Sequence, residues 1–397
     1  MAKRLLITAA VLLLASCAAV PKAPRGAEDA LVRVAPSKYP VLADLGDAAA
    51  LAASVGNTIE YLNKVPSTRE ISFGTEKYTA SGQARALSEF RDFLLTNPNP
   101  SALGSYVLDH FDVYAAAGSD GRGGVLFTGY YTPELEAAEA PDSTYRYPLY
   151  GLPPDLVTAE LGLFKEKLKG EKVSGMVQGG KLVPYLPRAD IDSGALAGRG
   201  LEITWLKDPV DAFFLHVQGS GVLKYPDGSI RNVGYAGANG RAYRSIGKYL
   251  IEQGRATLDE MSMGWLKRYL ASHPDEAPGI MGYNESYVFF RLVEGGPYGT
   301  AGVTVTAERS VAADPAYYPM GMVCFIETEE PEFAGGQATT PSGWGRYGRY
   351  AVFQDTGGAI KGPGRVDIYF GVGEWAGLKA GSMRRPGRLY FLAGKRQ

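Results

Sequence analysis

Two carboxylates near the end of this chain stand in a setting suited to acid–base chemistry. Gln354-Asp355-Thr356-Gly357-Gly358-Ala359-Ile360-Lys361-Gly362 is followed closely by Arg365-Val366-Asp367-Ile368-Tyr369-Phe370-Gly371. Val366, Ile368 and Phe370 alternate with Asp367 and Tyr369, so on a strand the aspartate faces away from three apolar side chains. That outer face is either solvent or a cleft, and the alternation serves a solvated strand aspartate equally well. Asp355, ahead of Gly357-Gly358, also reads as the cap of a tight turn. A glycine-rich connection can bring the two carboxylates together. Their proximity would raise one pKa, as an acid catalyst working near neutral pH requires.

Competing chemistries find little support. There is no HExxH, no P-loop and no CxxC pair, and the three histidines, His110, His216 and His273, are far apart. A histidine-rich metal site is therefore not expected. His216 precedes Gly219-Ser220-Gly221, but the spacing is not that of a nucleophile elbow, and the apolar run around it reads as a strand. Gly371, Gly373 and Gly377 imitate a dinucleotide loop with one interval too long and no alternating helices and strands around it. A formal net charge of −1 carries no polyanion signature, so no nucleic-acid role is expected.

The elements that must position the aspartates fall into two textures. Leu51, Val55, Ile59 and Leu62 repeat at helical spacing, as do Leu87, Phe90 and Leu94 after Ser81. Pro100-Ser101 opens a third helix with Leu103, Val107 and Phe111. From Val113 the pattern becomes strand-like. Val125–Tyr131, Leu201–Trp205 and Ala212–Val217 are apolar or alternating runs bounded by Gly, Pro and Asp. Two helices interrupt, over 240–252 and 259–271, and residues 331–348 read as a Gly-, Pro- and Ser-rich surface loop. The 51 glycines and 25 tyrosines agree with much β-structure and with a cleft lined by flat, amphipathic rings.

The start of the chain sets the compartment. Lys3 and Arg4 precede the apolar run Leu5–Leu14, and Leu14-Ala15-Ser16-Cys17 closes it with small residues before a cysteine. This is a secretory signal, too short to span a bilayer as a stable anchor. Its ending resembles the bacterial lipobox, which implies a mature chain starting at a diacylated Cys17. Acyl chains would then hold the protein to a membrane, each buried CH₂ contributing ~0.8 kcal/mol. Ala18 and Ala19 favour the periplasmic face of the outer membrane by the same resemblance. Residues 18–40, with four prolines and no period, read as a tether within the segment 17–40. Cys324 would be left without a disulfide partner.

Taken in order, several blocks resemble the membrane-bound lytic murein transglycosylase A family. They are Phe127-Thr128-Gly129-Tyr130-Tyr131-Thr132-Pro133, Phe213-Phe214-Leu215-His216-Val217-Gln218-Gly219-Ser220-Gly221, Val233-Gly234-Tyr235-Ala236-Gly237-Ala238-Asn239-Gly240, Tyr243-Arg244-Ser245-Ile246-Gly247, and Met261-Ser262-Met263. The two aspartate blocks complete the set, and together they cover most of residues 105–393. Pro363-Gly364 lengthens the connection between the aspartates relative to the family pattern.

The resemblance implies a mainly β, α+β fold. A double-psi β-barrel domain would be built from 41–133 and 291–397 with N-terminal helices. A smaller inserted β-domain, 134–290, would face it across a groove. It makes Asp367 the catalytic acid, with Asp355 and Thr128 beside it. Tyr130, Tyr131 and Tyr235 offer rings to sugar faces, while Gln218, Ser220 and Asn239 offer hydrogen bonds to hydroxyls or N-acetyl groups. Each of these residues also has an ordinary packing or turn role open to it. The implied substrate is the peptidoglycan glycan strand, cut between MurNAc and GlcNAc with a 1,6-anhydro end, and no metal or cofactor takes part. Membrane lipid is the implied partner through Cys17, and enzymes of cell-wall synthesis or division are candidate protein partners. Two alternatives stay open: a two-carboxylate β-glycan hydrolase, and a non-catalytic wall-binding lipoprotein.

Overall fold

Helix-forming segments open the described chain because each carries its own start signal. In the computed structural model, which describes residues 23–44, 46–258, 260–335 and 340–396, Asp47 caps Ala48–Lys64 by accepting from the amides of Ala49 and Ala50. Thr79 caps Ala80–Leu94, and Asn99 with Pro100 at the first turn starts Pro100–His110. Their apolar faces, Leu51, Val55, Leu62, Leu87, Phe90, Leu94, Leu103 and Val107, are buried against the strands that follow.

Those strands close on themselves. Around the barrel the order is Arg384–Gly394, Val323–Glu332, Gly343–Asp355, Ser310–Ala312, Arg365–Val372 and Val125–Thr132, the last pairing again with Arg384–Gly394. Val125–Thr132 runs parallel to Arg365–Val372, and Ser310–Ala312 runs parallel to Gly343–Asp355, while the other neighbours are antiparallel. Closure leaves no free edge among these six strands. Phe127, Phe325, Ile326, Val352, Phe353, Val366, Ile368 and Phe391 are buried in the apolar core on the two faces of these strands. Phe111–Ala116 continues the sheet beyond Arg384–Gly394, and Leu31–Arg33 beyond that.

A second body lies between the barrel strand ending at Thr132 and the one starting at Ser310. Its six-stranded sheet runs Val288–Val293, Ile230–Ala238, Ser220–Lys224, Glu134–Ala138, Glu202–Leu206 and Tyr147–Tyr150. A three-stranded sheet, Lys181–Pro184, Lys172–Gln178 and Val157–Glu160, sits beside it. It has its own apolar centres, one around Leu149, Leu206, Leu215, Leu223 and Phe290, another around Phe213, Phe214, Ile246, Leu250 and Leu270. The mainly β architecture of barrel plus inserted sheet is the expected one.

Four local expectations are corrected. Ala212–Val217 is not a strand but part of the helix Pro209–Gln218, capped by Asp208 and ended by Gly219 at φ 80°. Val210, Phe213, Phe214, Leu215 and His216 are all buried there, so no polar stripe betrays the helical period. Residues 331–348 are a loop only in part, since Pro331–Glu332 and Gly343–Gly348 belong to the strands Val323–Glu332 and Gly343–Asp355, which pair without interruption from Val323↔Val352 to Glu332↔Gly343. The helix expected over 240–252 begins only at Ile246, capped by Ser245, because Gly240 is held at φ 76° and the residues after it form a loop. The tether expected over 17–40 is structured from Ala27, where a short helix leads into Leu31–Arg33 on the sheet edge. Cys17 lies outside the described residues. No helix among those described is long and apolar enough to cross a membrane.

Candidate active site

Strand register brings the acid site together. Asp367 lies directly opposite Thr128 in the parallel pair, and Ala312 pairs with Asp367 on one side and Asp355 on the other. The two aspartates are therefore two strand spacings apart, about 10 Å between backbones.

Asp367 is buried, with 8% of its surface exposed. Its Oδ1 accepts from the Thr128 hydroxyl and from Arg365 Nε at 3.0 Å, and its Oδ2 accepts from Arg365 Nη2 at 3.1 Å. Arg365 Nε also donates to Thr128 Oγ1 at 3.1 Å, and Nη1 donates to the Ala359 carbonyl at 3.2 Å. Burial pushes the Asp367 carboxyl above the ordinary aspartate range, while Arg365 and Thr128 pull the other way. Sequence reasoning missed Arg365, although its signal was present: residues two apart on a strand share a face.

Asp355 is held differently. Its Oδ1 accepts from Thr300 N and Thr300 Oγ1, both at 2.9 Å, and from Thr356 N at 2.8 Å. Burial again raises its pKa against those donors. Tyr130 feels the charge of both carboxylates. Its ring lies 5.1 Å from that of Tyr369, its hydroxyl is buried without a hydrogen-bond partner, and its pKa is driven far up by burial and by the charge of Asp355. Asp314, also missed, accepts from Gly362 N at 2.8 Å and so pins the glycine-rich connection between the aspartates.

The inserted body meets the barrel at this edge. Gln218 Oε1 accepts from Tyr131 N at 3.2 Å. Lys267 pairs with Asp211 at 2.9 Å and acts on the Tyr131 phenol, whose pKa is raised by burial and lowered by that cation. Tyr243, in the loop before Ile246, is pushed up by burial and opposed by the charge of Arg365. Gly377 and Gly381 leave room for close approach, since a Cβ at Gly377 would lie 2.7 Å from the Tyr131 ring.

The other sugar-contact expectations divide. Tyr235 is 56% exposed on the strand Ile230–Ala238 and has an open ring, and Ser220 is half-buried at the start of its strand. Tyr131, only 6% exposed, has no ring face to offer. Asn239 is fully buried and its amide is saturated: Nδ2 donates to the carbonyls of Leu186 and Glu285, and Oδ1 accepts from Arg241 N and Tyr287 N. It fixes the loop and cannot reach a substrate. His216 packs edge-on 4.2 Å from Tyr287 with both ring nitrogens unpartnered, and burial holds it neutral. That excludes a triad through it. No cluster of three or more metal-ligating side chains occurs among the described residues.

Two family descriptions match the chain, the MltA specific insert domain over residues 126–291 and the 3D domain over 309–393. The membrane-bound lytic murein transglycosylase A of Vibrio cholerae is 34% identical over 310 residues, 77% of this chain and 74% of that one. Its namesake from Escherichia coli K12 is 33% identical over 287 residues, 71% and 69%. Among solved structures, a membrane-bound lytic murein transglycosylase from Agrobacterium tumefaciens superposes with TM-score 0.75 at 29% identity, covering 92% of this chain and 98% of that one. The E. coli MltA structure with bound chitohexaose gives 0.72 at 25% identity, covering 94% and 96%. On fold and sequence together, the chain belongs to the membrane-bound lytic murein transglycosylase A family.

Proposed function

We propose that this protein cleaves the MurNAc–GlcNAc bond of peptidoglycan and leaves a 1,6-anhydroMurNAc end, with Asp367 acting first as acid and then as base. The broader activity, peptidoglycan lytic transglycosylase, rests on family membership. The observation that carries the finer reading is the buried carboxyl of Asp367, gripped by Thr128 and Arg365 at the barrel edge that the inserted body adjoins. Protonated Asp367 donates to the glycosidic oxygen as its bond to C1 breaks. The anion then takes the proton of the C6 hydroxyl, which closes on C1. One carboxyl suffices because no water is activated.

The hydrolase alternative needs a second free carboxylate, with the pair ~5–9.5 Å apart according to stereochemistry. Asp355, whose Oδ1 already accepts three hydrogen bonds, is poorly suited to that task. Mass spectrometry of fragments from purified sacculi tests the reading. Products lighter by one water than hydrolytic fragments are expected, and reducing ends would refute it.

Membrane attachment through acylated Cys17 is the reading that the lipobox-like sequence supports, and the membrane-bound relatives agree with attachment to a membrane. Cys17→Ser is expected to release the protein from the membrane fraction or to block its processing. Unchanged fractionation with normal cleavage would remove the lipid-anchor reading.

A further inference from the structure

The carboxyl that must open the reaction as an acid is surrounded by donors. Each hydrogen bond to Asp367 comes from Thr128 or Arg365, and the fork of Arg365 spans both oxygens. The oxygens differ. Oδ1 has two partners, while Oδ2 has only Arg365 Nη2. A proton for transfer therefore belongs on Oδ2, the oxygen whose one contact is Arg365 Nη2. The guanidinium has a second hold within reach, the Ala359 carbonyl at Nη1.

We propose that Arg365 is a positioning residue that switches Asp367 between its acid and base roles. The guanidinium yields Oδ2 and stays on Ala359 while Asp367 donates, then returns to both oxygens of the anion until the C6 hydroxyl is deprotonated. The proton leaving Oδ2 goes to the leaving oxygen as the C1–O bond breaks. The proton from O6 restores Oδ2 as the O6–C1 bond forms, so Asp367 ends each cycle as it began. This rests on the acid–base reading of Asp367 given above.

The charged and titratable groups around this carboxyl are few. Arg365 and Tyr369 stand on its own strand, Tyr130 near Thr128 on the parallel neighbour and Arg384 opposite Thr128 on the strand beyond, whereas Ala312 on the other side adds no charge. Asp355 and Asp367 both raise the pKa of the Tyr130 phenol, and the charge of Arg365 lowers that of Tyr243 on the inserted body. Arg365 is thus the cation that opposes the burial of Asp367.

The test is the pH dependence of kcat/KM on purified glycan strands for the wild type, Arg365→Gln, Arg365→Lys and Asp367→Asn. The alkaline limb reports the protonated acid. An opposite charge nearby lowers a carboxyl pKa by ~1–3 units, so Arg365→Gln is expected to move that limb upward by a shift of this order. kcat should fall by about tenfold or more while KM changes little, because the anion between the two steps loses its partner. Arg365→Lys, which keeps the charge but not the fork, should move the limb less and recover part of kcat. It also stands in if the glutamine variant does not fold. A limb at the wild-type position in both variants, with Asp367→Asn inactive, overturns the role of Arg365 alone. Activity in folded Asp367→Asn overturns the acid–base reading itself.

Discussion

Asp367→Asn is expected to give a protein that folds and holds glycan but no longer cuts it. The amide keeps the shape of the carboxyl and can still accept from Thr128 and from one arm of Arg365. What it lacks is a transferable proton and, afterwards, a basic oxygen. General acid–base catalysis contributes ~10²–10⁴-fold, and here one group serves both steps, so kcat should fall to the upper end of that range or beyond. Release of anhydro-fragments from sacculi measures the loss, and co-sedimentation with sacculi measures retained binding. Asp355→Asn should cost less, because its carboxyl organises Thr300 and Thr356 rather than facing Arg365. A folded Asp367→Asn enzyme with substantial activity would end the assignment.

The largest stability effect is expected at Asp44. Its carboxylate and the Arg309 guanidinium form a buried pair that joins the segment before the first long helix to the barrel. Asp44 Oδ1 also accepts from Gly46 N at 2.7 Å and Oδ2 from Tyr350 N at 2.8 Å, while Arg309 donates to the carbonyls of Tyr350 and Asp47, each at 2.8 Å. With every group paired, the ions tolerate their burial. Asp44→Ala leaves the guanidinium buried and uncompensated, which costs ~3–5 kcal/mol. Denaturant unfolding of the variant should show a midpoint lowered accordingly. A loss below about 1 kcal/mol, the size of an exposed ion pair, would mean that water reaches Arg309.

How much of this was readable from the chain differs residue by residue. Asp367 was legible because a polar residue alternating with Val366, Ile368 and Phe370 has a defined outer face, and the observed strand keeps that alternation's register against Thr128. The capped N-terminal helices were legible for a similar reason, since their apolar faces carry a clear period. The helix Pro209–Gln218 was not, because a helix apolar on nearly every side has no period to read. Asn239 misled for another reason: a polar side chain in a glycine-rich segment looks available, and only the carbonyls of Leu186 and Glu285, distant in sequence, reveal that it is spent internally. Barrel closure was beyond reading from the residues alone, because it rests on pairings such as Gly387↔Val125 that no local pattern encodes.

Closure by the last strand sets the order in which the site can form. Thr128 and Asp367 are 239 positions apart, and the strand Arg384–Gly394 that seals the ring pairs with Phe111–Ala116, Val125–Thr132 and Val323–Glu332. Contacts of such separation form late, after the chain entropy of a long loop has been overcome. Asp367 and its hydroxyl partner therefore meet only when both ends of the chain are in place. A wall-cutting enzyme assembled in this way is latent until its whole chain has folded, its activity gated by its own assembly.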